Sequence, residues 1–207
     1  RMALDKNYEI EKPTEKDIPE IVSLYRKYAS GFSLAPVMTE DRFRKYLSSI
    51  DGLSIDNFIV AREHGKIRAV TAVWDEHAYK SYQVLKLNFS IRVVAKILNF
   101  LSLFMKVPHP IRLNEPLRQL SLVLYAHDDC PEALDTLFRY ANNINLGSEY
   151  TLIMLYAQEN DPVFRSMKKF IGISVKSEMY IFAKETQLFQ KLKQDSSGVL
   201  FDLSMTI

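Results

Sequence analysis

The sequence predicts an α/β domain, and three observations carry that prediction. The first is Asn57–Asp75, NFIVAREHGKIRAVTAVWD: an apolar run at Phe58–Ala61, a tight turn at His64-Gly65-Lys66 and a second apolar run at Ile67–Trp74. Two such runs around a Gly-containing turn read as a β-hairpin. The second is helical periodicity upstream of the hairpin, with Ile18, Ile21, Val22 and Tyr25 on one face. The third is the alternation downstream, where apolar runs at 117–126 and 150–157 flank an amphipathic stretch at 131–144. The predicted order is β-α-α-β-β-…-β-α-β-α-β.

Each element has a local cause. Tyr8–Lys12 alternates and stops at Pro13, as a short strand does. Thr14 with Asp17 three residues on opens a helix that runs to about Tyr28. A second helix starts near Thr39, buries Phe43, Tyr46 and Leu47, and ends before Gly52. Residues 76–116 are long for a single connection and read as a helical insertion: Tyr82–Phe89 alternates like a strand, and Ile91–Lys106 reads as a helix ended by Pro108 and Pro110. Leu117–Ala126 is a buried-strand candidate, and Pro131–Ile144 is a helix carrying Leu134, Leu137, Phe138 and Ala141, capped near Gly147. Tyr150–Ala157 is nearly all apolar, as expected of a central strand covered on both faces. Helices at 162–170 and 186–194 and strands at 175–183 and 199–205 complete the expectation.

Composition bounds the function. A chain of 207 residues fits one domain. Lys plus Arg exceeds Asp plus Glu by only 27 − 25 = 2, which gives no electrostatic case for a nucleic-acid partner. Cys130 is the sole cysteine, so an intrachain disulfide and a CxxC metal site are excluded, and a reducing, cytoplasmic setting is expected. The first residues, Arg1-Met2-Ala3-Leu4-Asp5-Lys6, lack the apolar core of a signal peptide. A start on Arg rather than Met marks a cloning remnant or a piece of a longer protein. Val93–Met105 is a 13-residue apolar run that includes Lys96, short of the roughly 20 residues needed to span a bilayer. Its basic stripe (Arg92, Lys96, Lys106) would suit a bilayer surface, but the expectation is a helix that packs on the core above the substrate side of the sheet.

The element order and the hairpin resemble the GNAT superfamily of acyl-CoA-dependent N-acetyltransferases, over most of residues 8–184. The helix followed by Pro108-His109-Pro110, then Asn114–Gln119, then the acidic loop, looks like a branch with a long insertion and no phosphate-loop glycines. The resemblance implies a mixed, mostly antiparallel sheet with helices on both faces. It implies a splay between the strands at 117–126 and 150–157, where acetyl-CoA or another acyl-CoA would bind as cosubstrate, with no metal. The acceptor would be a small-molecule or peptide amine. A homodimer or fusion to another domain is compatible with it, as is a catalytically degenerate member that serves binding or assembly.

In such proteins the loop after the first of these strands holds the pyrophosphate on backbone N–H groups at a helix N-terminus. Here the candidates are Tyr125 and Ala126 at the strand end, then Asp128, Asp129, Cys130, Glu132 and Ala133. Asp128 falls on the usual basic position, Pro131 on the first Gly and Ala133 on the second small residue. Pro131 removes a donor, and the acids would meet phosphate with like charge. The same residues suit ordinary helix capping. After the next strand the family places an Asn and, seven residues on, a Tyr that protonates the leaving thiolate. Asn160 matches the first, Met167 replaces the Tyr, and Gly172-Ile173 stands near the closing Gly-Phe. Tyr125, Tyr156 and Tyr180 are substitutes for the acid, packed tyrosines being the plain alternative. For the general base, Gln119 and Ser121 replace any acid on the strand. Asp75 and Glu76 are then the nearest carboxylates, unless they are a solvated strand end. His77, His109 and His127 have no metal spacing, and His127 beside Cys130 reads as a loop histidine rather than a thiolate pair.

Overall fold

In a computed structural model, residues 1–32, 35–78, 80–87, 89–157, 161–167, 169–170 and four isolated later positions are described. The hairpin forms as expected: β2 (Phe58–Glu63) pairs antiparallel with β3 (Lys66–Trp74). His64 and Gly65 both take positive φ (51° and 77°) at the turn, the backbone whose twist suits a two-residue hairpin. β1 (Glu9–Glu11) pairs antiparallel with β2 on the outer side.

Thr14 caps the first helical segment, its amide and hydroxyl both donating to the Asp17 carboxylate (2.7 and 2.9 Å). A short 3₁₀ turn at Glu15–Asp17 then leads into α1 (Ile18–Ala29). In α2 (Glu40–Ser49) the Thr39 hydroxyl accepts from the Arg42 amide, and Phe43 and Leu47 are buried. β6 (Gln119–His127) pairs antiparallel with β3 and is buried along its whole length. α4 (Pro131–Asn145) carries the chain over to β7 (Leu152–Leu155), which runs parallel to β6. The sheet order is β1-β2-β3-β6-β7, mixed and mostly antiparallel. α1 and α4 both pack on β3 and β6, which places the two helices on opposite faces.

The ladder between β6 and β7 covers only Gln119–Leu122 against Leu152–Leu155. Opposite its end, β6 bulges: Ala72 pairs with Val123 but Val70 with Ala126, and Leu124 takes φ 51°. The extra residue bends the strand, and β6 continues to His127 beyond the last pair with β7. Thr71 donates its hydroxyl to the Val123 carbonyl (3.2 Å), which serves an acceptor beside the bulge.

Five expectations are corrected. The alternating stretch 82–89 yields only β4 (Tyr82–Gln83), paired with β5 (Pro116–Leu117), because two residues of partner are all it meets. The insertion helix α3 spans Phe89–Leu101 and ends well before Pro108, in turns at 102–104. Its two aromatic side chains face outward instead of packing on the core: Phe89 is 80% and Phe100 62% exposed. β7 is half-buried along its length rather than fully covered, and 162–165 is a single 3₁₀ turn. The elements expected at 175–183, 186–194 and 199–205, with Tyr180, lie outside the described residues.

Candidate active site

The sheet brings Glu76 to a position that a strand end does not usually give. β3 ends beside the start of β6, and a 3₁₀ turn at Glu76–Ala78 folds the carboxylate inward. Glu76 is 1% exposed, so it is no solvated strand end. Its Oε1 accepts from Gln119 Nε2 at 2.5 Å, and Lys80 Nζ stands 3.9 Å from Oε2. A carboxylate this deep needs such partners, since burying it unpaired is costly. Neighbouring Asp75 accepts from the Tyr150 hydroxyl (2.9 Å) and the His77 amide (3.0 Å). Burial and that bond to Asp75 push the Tyr150 phenol up to about 12.

Tyr156, just past β7, is half-buried. Burial raises its pKa, followed by a hydrogen bond with Tyr82 and the charge of Glu76. The phenol therefore keeps its proton at neutral pH. Through Tyr82 the insertion reaches over this end of the sheet, and the His109 amide donates to the Tyr150 carbonyl (3.1 Å). A cleft of about 440 Å³ opens alongside, with His77, His109, Arg112, Arg118 and Glu149 on its walls; Glu76 and Tyr156 are not among its lining residues.

Tyr125 is packed and bonded. Its hydroxyl donates to Asp161 Oδ2 (2.8 Å), and its ring meets Tyr28 of α1 and Phe138 of α4 edge-on. Asp161 Oδ1 accepts from the Tyr28 hydroxyl (3.0 Å) and the Val163 amide (2.8 Å), so one buried carboxylate caps a turn and holds two tyrosines. Burial and the Asp161 charge push the Tyr28 phenol up. Asp161 escaped sequence reading, although an Asp just before Pro162 is itself a capping signal.

The loop after β6 is organised by charge. Asp128 accepts from Lys27 (2.5 Å), Lys66 (2.8 Å) and Arg68 (2.7 Å), and Asp129 pairs with Lys27 (2.5 Å). Hydrogen bonds from Lys27 and Lys66 pull the Asp128 carboxyl down to about 2. The expectation that Asp128 would confront phosphate as a bare like charge is thus corrected, because three cations from distant parts of the chain already balance it. Few of the loop's amides are free to bind an anion. The Asp128 amide donates to Arg68 O (2.8 Å), the Cys130 amide to His127 Nδ1 (3.1 Å) and the Ala133 amide to Cys130 O (3.1 Å). Pro131 has none. Four of the six positions from Asp128 to Ala133 therefore offer no free N–H.

His127 and Cys130 meet through that amide rather than as a thiolate pair. The thiol lies 2.9 Å from the Tyr8 hydroxyl and 3.9 Å from Glu132 Oε2. Burial lowers the His127 pKa and keeps the imidazole neutral. Ala126 is fully buried in β6, Ala133 in the first turn of α4, and Met167 packs against the core. Asn160 lies outside the described residues. Among the described residues no three His, Cys, Asp or Glu side chains are grouped to hold a metal ion.

No protein-family profile and no curated protein sequence matches the chain. Solved structures do match. A protein of Agrobacterium tumefaciens designated an acetyltransferase is 13% identical with a TM-score of 0.50, over 84% of this chain and 99% of that one. An aminoglycoside acetyltransferase from an uncultured soil sample, solved with sisomicin, is 15% identical with a TM-score of 0.48, over 86% and 99%. A ribosomal-protein-alanine N-acetyltransferase of Brucella melitensis is 14% identical with a TM-score of 0.47, over 85% and 99%. At such identities the likeness is one of fold, and the fold is that of the GNAT acetyltransferases.

Proposed function

We propose that the chain is an N-acyltransferase that moves an acyl group from coenzyme A, acetyl in the first instance, to an amine on a small molecule or peptide. The observation that carries this reading is Glu76, a carboxylate buried with Gln119 at the insertion-covered end of a GNAT-type sheet. An acceptor amine arrives as ammonium and must lose a proton before it can attack; Glu76 is the base that takes it. The nitrogen then adds to the thioester carbonyl, the C–N bond forms and the C–S bond breaks. The leaving thiolate takes the Tyr156 proton, the second proton of the nitrogen passes through water to Tyr156, and Glu76 gives up its own to solvent, so that one proton is released overall.

A second reading has an observation of its own. With four of six loop positions offering no amide, a binding or assembly module that has lost catalysis also accounts for the site.

A thermal-shift titration with acetyl-CoA separates the two. Ligand at about 100 times its dissociation constant stabilises an enzyme by roughly 2.7 kcal/mol, or about 5–10 °C for a chain of this size. Glu76→Gln should keep that shift and lower turnover by about 10²–10⁴-fold. No shift at millimolar acetyl-CoA refutes the enzyme reading and leaves the module.

A further inference from the structure

We propose that the insertion between β3 and β6 docks on an anionic phospholipid bilayer, with α3 lying along the interface. This inference is independent of the proposed chemistry and starts from what covers the helix. Ala95, Leu98 and Leu101 lie on one side of α3 and are half-buried, with Val94 among them 53% exposed. Phe89, Val93, Ile97 and Phe100 fall within about 80° of one another on the other side, at 100° per residue. That outer stripe is 80, 39, 53 and 62% exposed in chain order. It continues past the helix in Leu103, Phe104 and Met105, and the rings of Phe100 and Phe104 meet at 5.4 Å. So much contiguous apolar surface marks an interaction site.

Charge identifies the occupant. Between Glu76 and Glu115 the sequence has no Asp or Glu and six basic residues: Lys80, Lys86, Arg92, Lys96, Lys106 and Arg112. The rest of the chain then carries 21 basic against 25 acidic residues, a net charge of 21 − 25 = −4, so the insertion is a cationic lobe on an anionic body. Lys80 faces Glu76 and Arg112 faces Glu115; among the described residues no carboxylate pairs with Lys86, Arg92, Lys96 or Lys106. Arg92 and Lys96 border the apolar stripe within about 60°. An exposed aromatic and aliphatic stripe edged by unpaired cations is the pattern of a helix that lies in a headgroup layer. Among the described residues no helix is long and apolar enough to cross a membrane, so the contact is with the surface. A second copy of the chain fits poorly, because stacking two such stripes would bring the same unpaired cations together.

The test is co-sedimentation of the full chain with sucrose-loaded vesicles of phosphatidylcholine alone or mixed equally with phosphatidylglycerol. The chain should pellet with the mixed vesicles only, and added salt should release it. Arg92→Gln with Lys96→Gln should weaken partition about fivefold per charge removed. Phe100→Ser with Phe104→Ser should weaken it at least about tenfold, with circular dichroism and melting temperature unchanged because both rings are exposed. Three results would overturn the proposal. One is no binding to the mixed vesicles, and another is equal binding to both kinds. The third is a dimer in sedimentation equilibrium that the double Phe substitution disperses, which would make a second copy the occupant.

Discussion

Asp161→Ala is the sharpest test of how the centre of the fold is held. The Asp161 carboxylate accepts from the Tyr28 hydroxyl at 3.0 Å, the Tyr125 hydroxyl at 2.8 Å and the Val163 amide at 2.8 Å. Tyr28, Tyr125 and Asp161 are all buried. Without the carboxylate, Tyr28 loses its acceptor inside the protein, a cost of about 1–3 kcal/mol. Tyr125 falls back on the Tyr156 carbonyl, 3.4 Å away, at about 1 kcal/mol. The lost cap at Val163 adds about 1 kcal/mol. The sum is about 3–5 kcal/mol, a drop of roughly 10 °C or more in melting temperature. Urea unfolding followed by Trp74, the chain's single tryptophan and fully buried, reads it directly. Asp161→Asn keeps an acceptor and a cap and should lose about 1–2 kcal/mol. A loss below about 1 kcal/mol for Asp161→Ala would refute the reasoning, because the hydroxyls would then have found other partners.

The remaining predictions concern charge and backbone. The folded Asp128 carboxyl sits near 2, below its ordinary 3.8. Its contribution is therefore complete above about pH 4 and disappears as pH falls from about 4 to 2. The shift bounds that contribution at about 2 kcal/mol, and water at the lysine ends reduces it to about 1 kcal/mol. The urea midpoints of the wild type and Asp128→Asn should thus differ at pH 5 and converge near pH 2; a constant gap would mean that the carboxylate is not ionised in the cluster. The same substitution frees Lys66 and leaves Lys27 and Arg68 with one acid each, Asp129 and Glu63, so the cluster gains one net positive charge; calorimetry should show tighter coenzyme A binding, and unchanged binding would place the phosphates elsewhere. His64 holds φ 51° on an exposed hairpin turn, and His64→Asn should stabilise the fold by about 0.5 kcal/mol, since Asn favours that backbone. A destabilised His64→Asn would mean that the imidazole makes a contact worth more than the strain.

What was legible in the sequence is what the chain decides locally. The hairpin turn, the Thr39 cap and the Thr14–Asp17 box each involve residues a few positions apart, and all form as their spacing predicts. The two apolar runs and the helix between them were legible as elements, and they form as β6, α4 and β7, with the two strands parallel. Glu76 was the opposite case: Gln119, 43 residues on, decides whether that carboxylate is solvated or buried, and no local pattern records it. Asp128 meets partners 101, 62 and 60 residues away. The pattern of α3 was read correctly as amphipathic, yet amphipathicity says only that one face is apolar and not what covers it.

The loop after β6 shows how a departure from a family pattern can be self-consistent. An acid at the position of a phosphate partner looks destructive when the loop is considered alone. In the fold, Lys27, Lys66 and Arg68 supply three positive charges, and Asp128, Asp129 and Glu63 pair with them as three negative ones. The cluster is neutral as a whole, so it exerts little net pull on a pyrophosphate. An acyl donor held by this chain would then draw little of its affinity from the nucleotide end. The bulge at Leu124 bends β6 four residues before this cluster. Substitutions that break the charge balance and those that alter the bulge therefore act on the same end of β6, and an acyl donor sensitive to both would lie against that end.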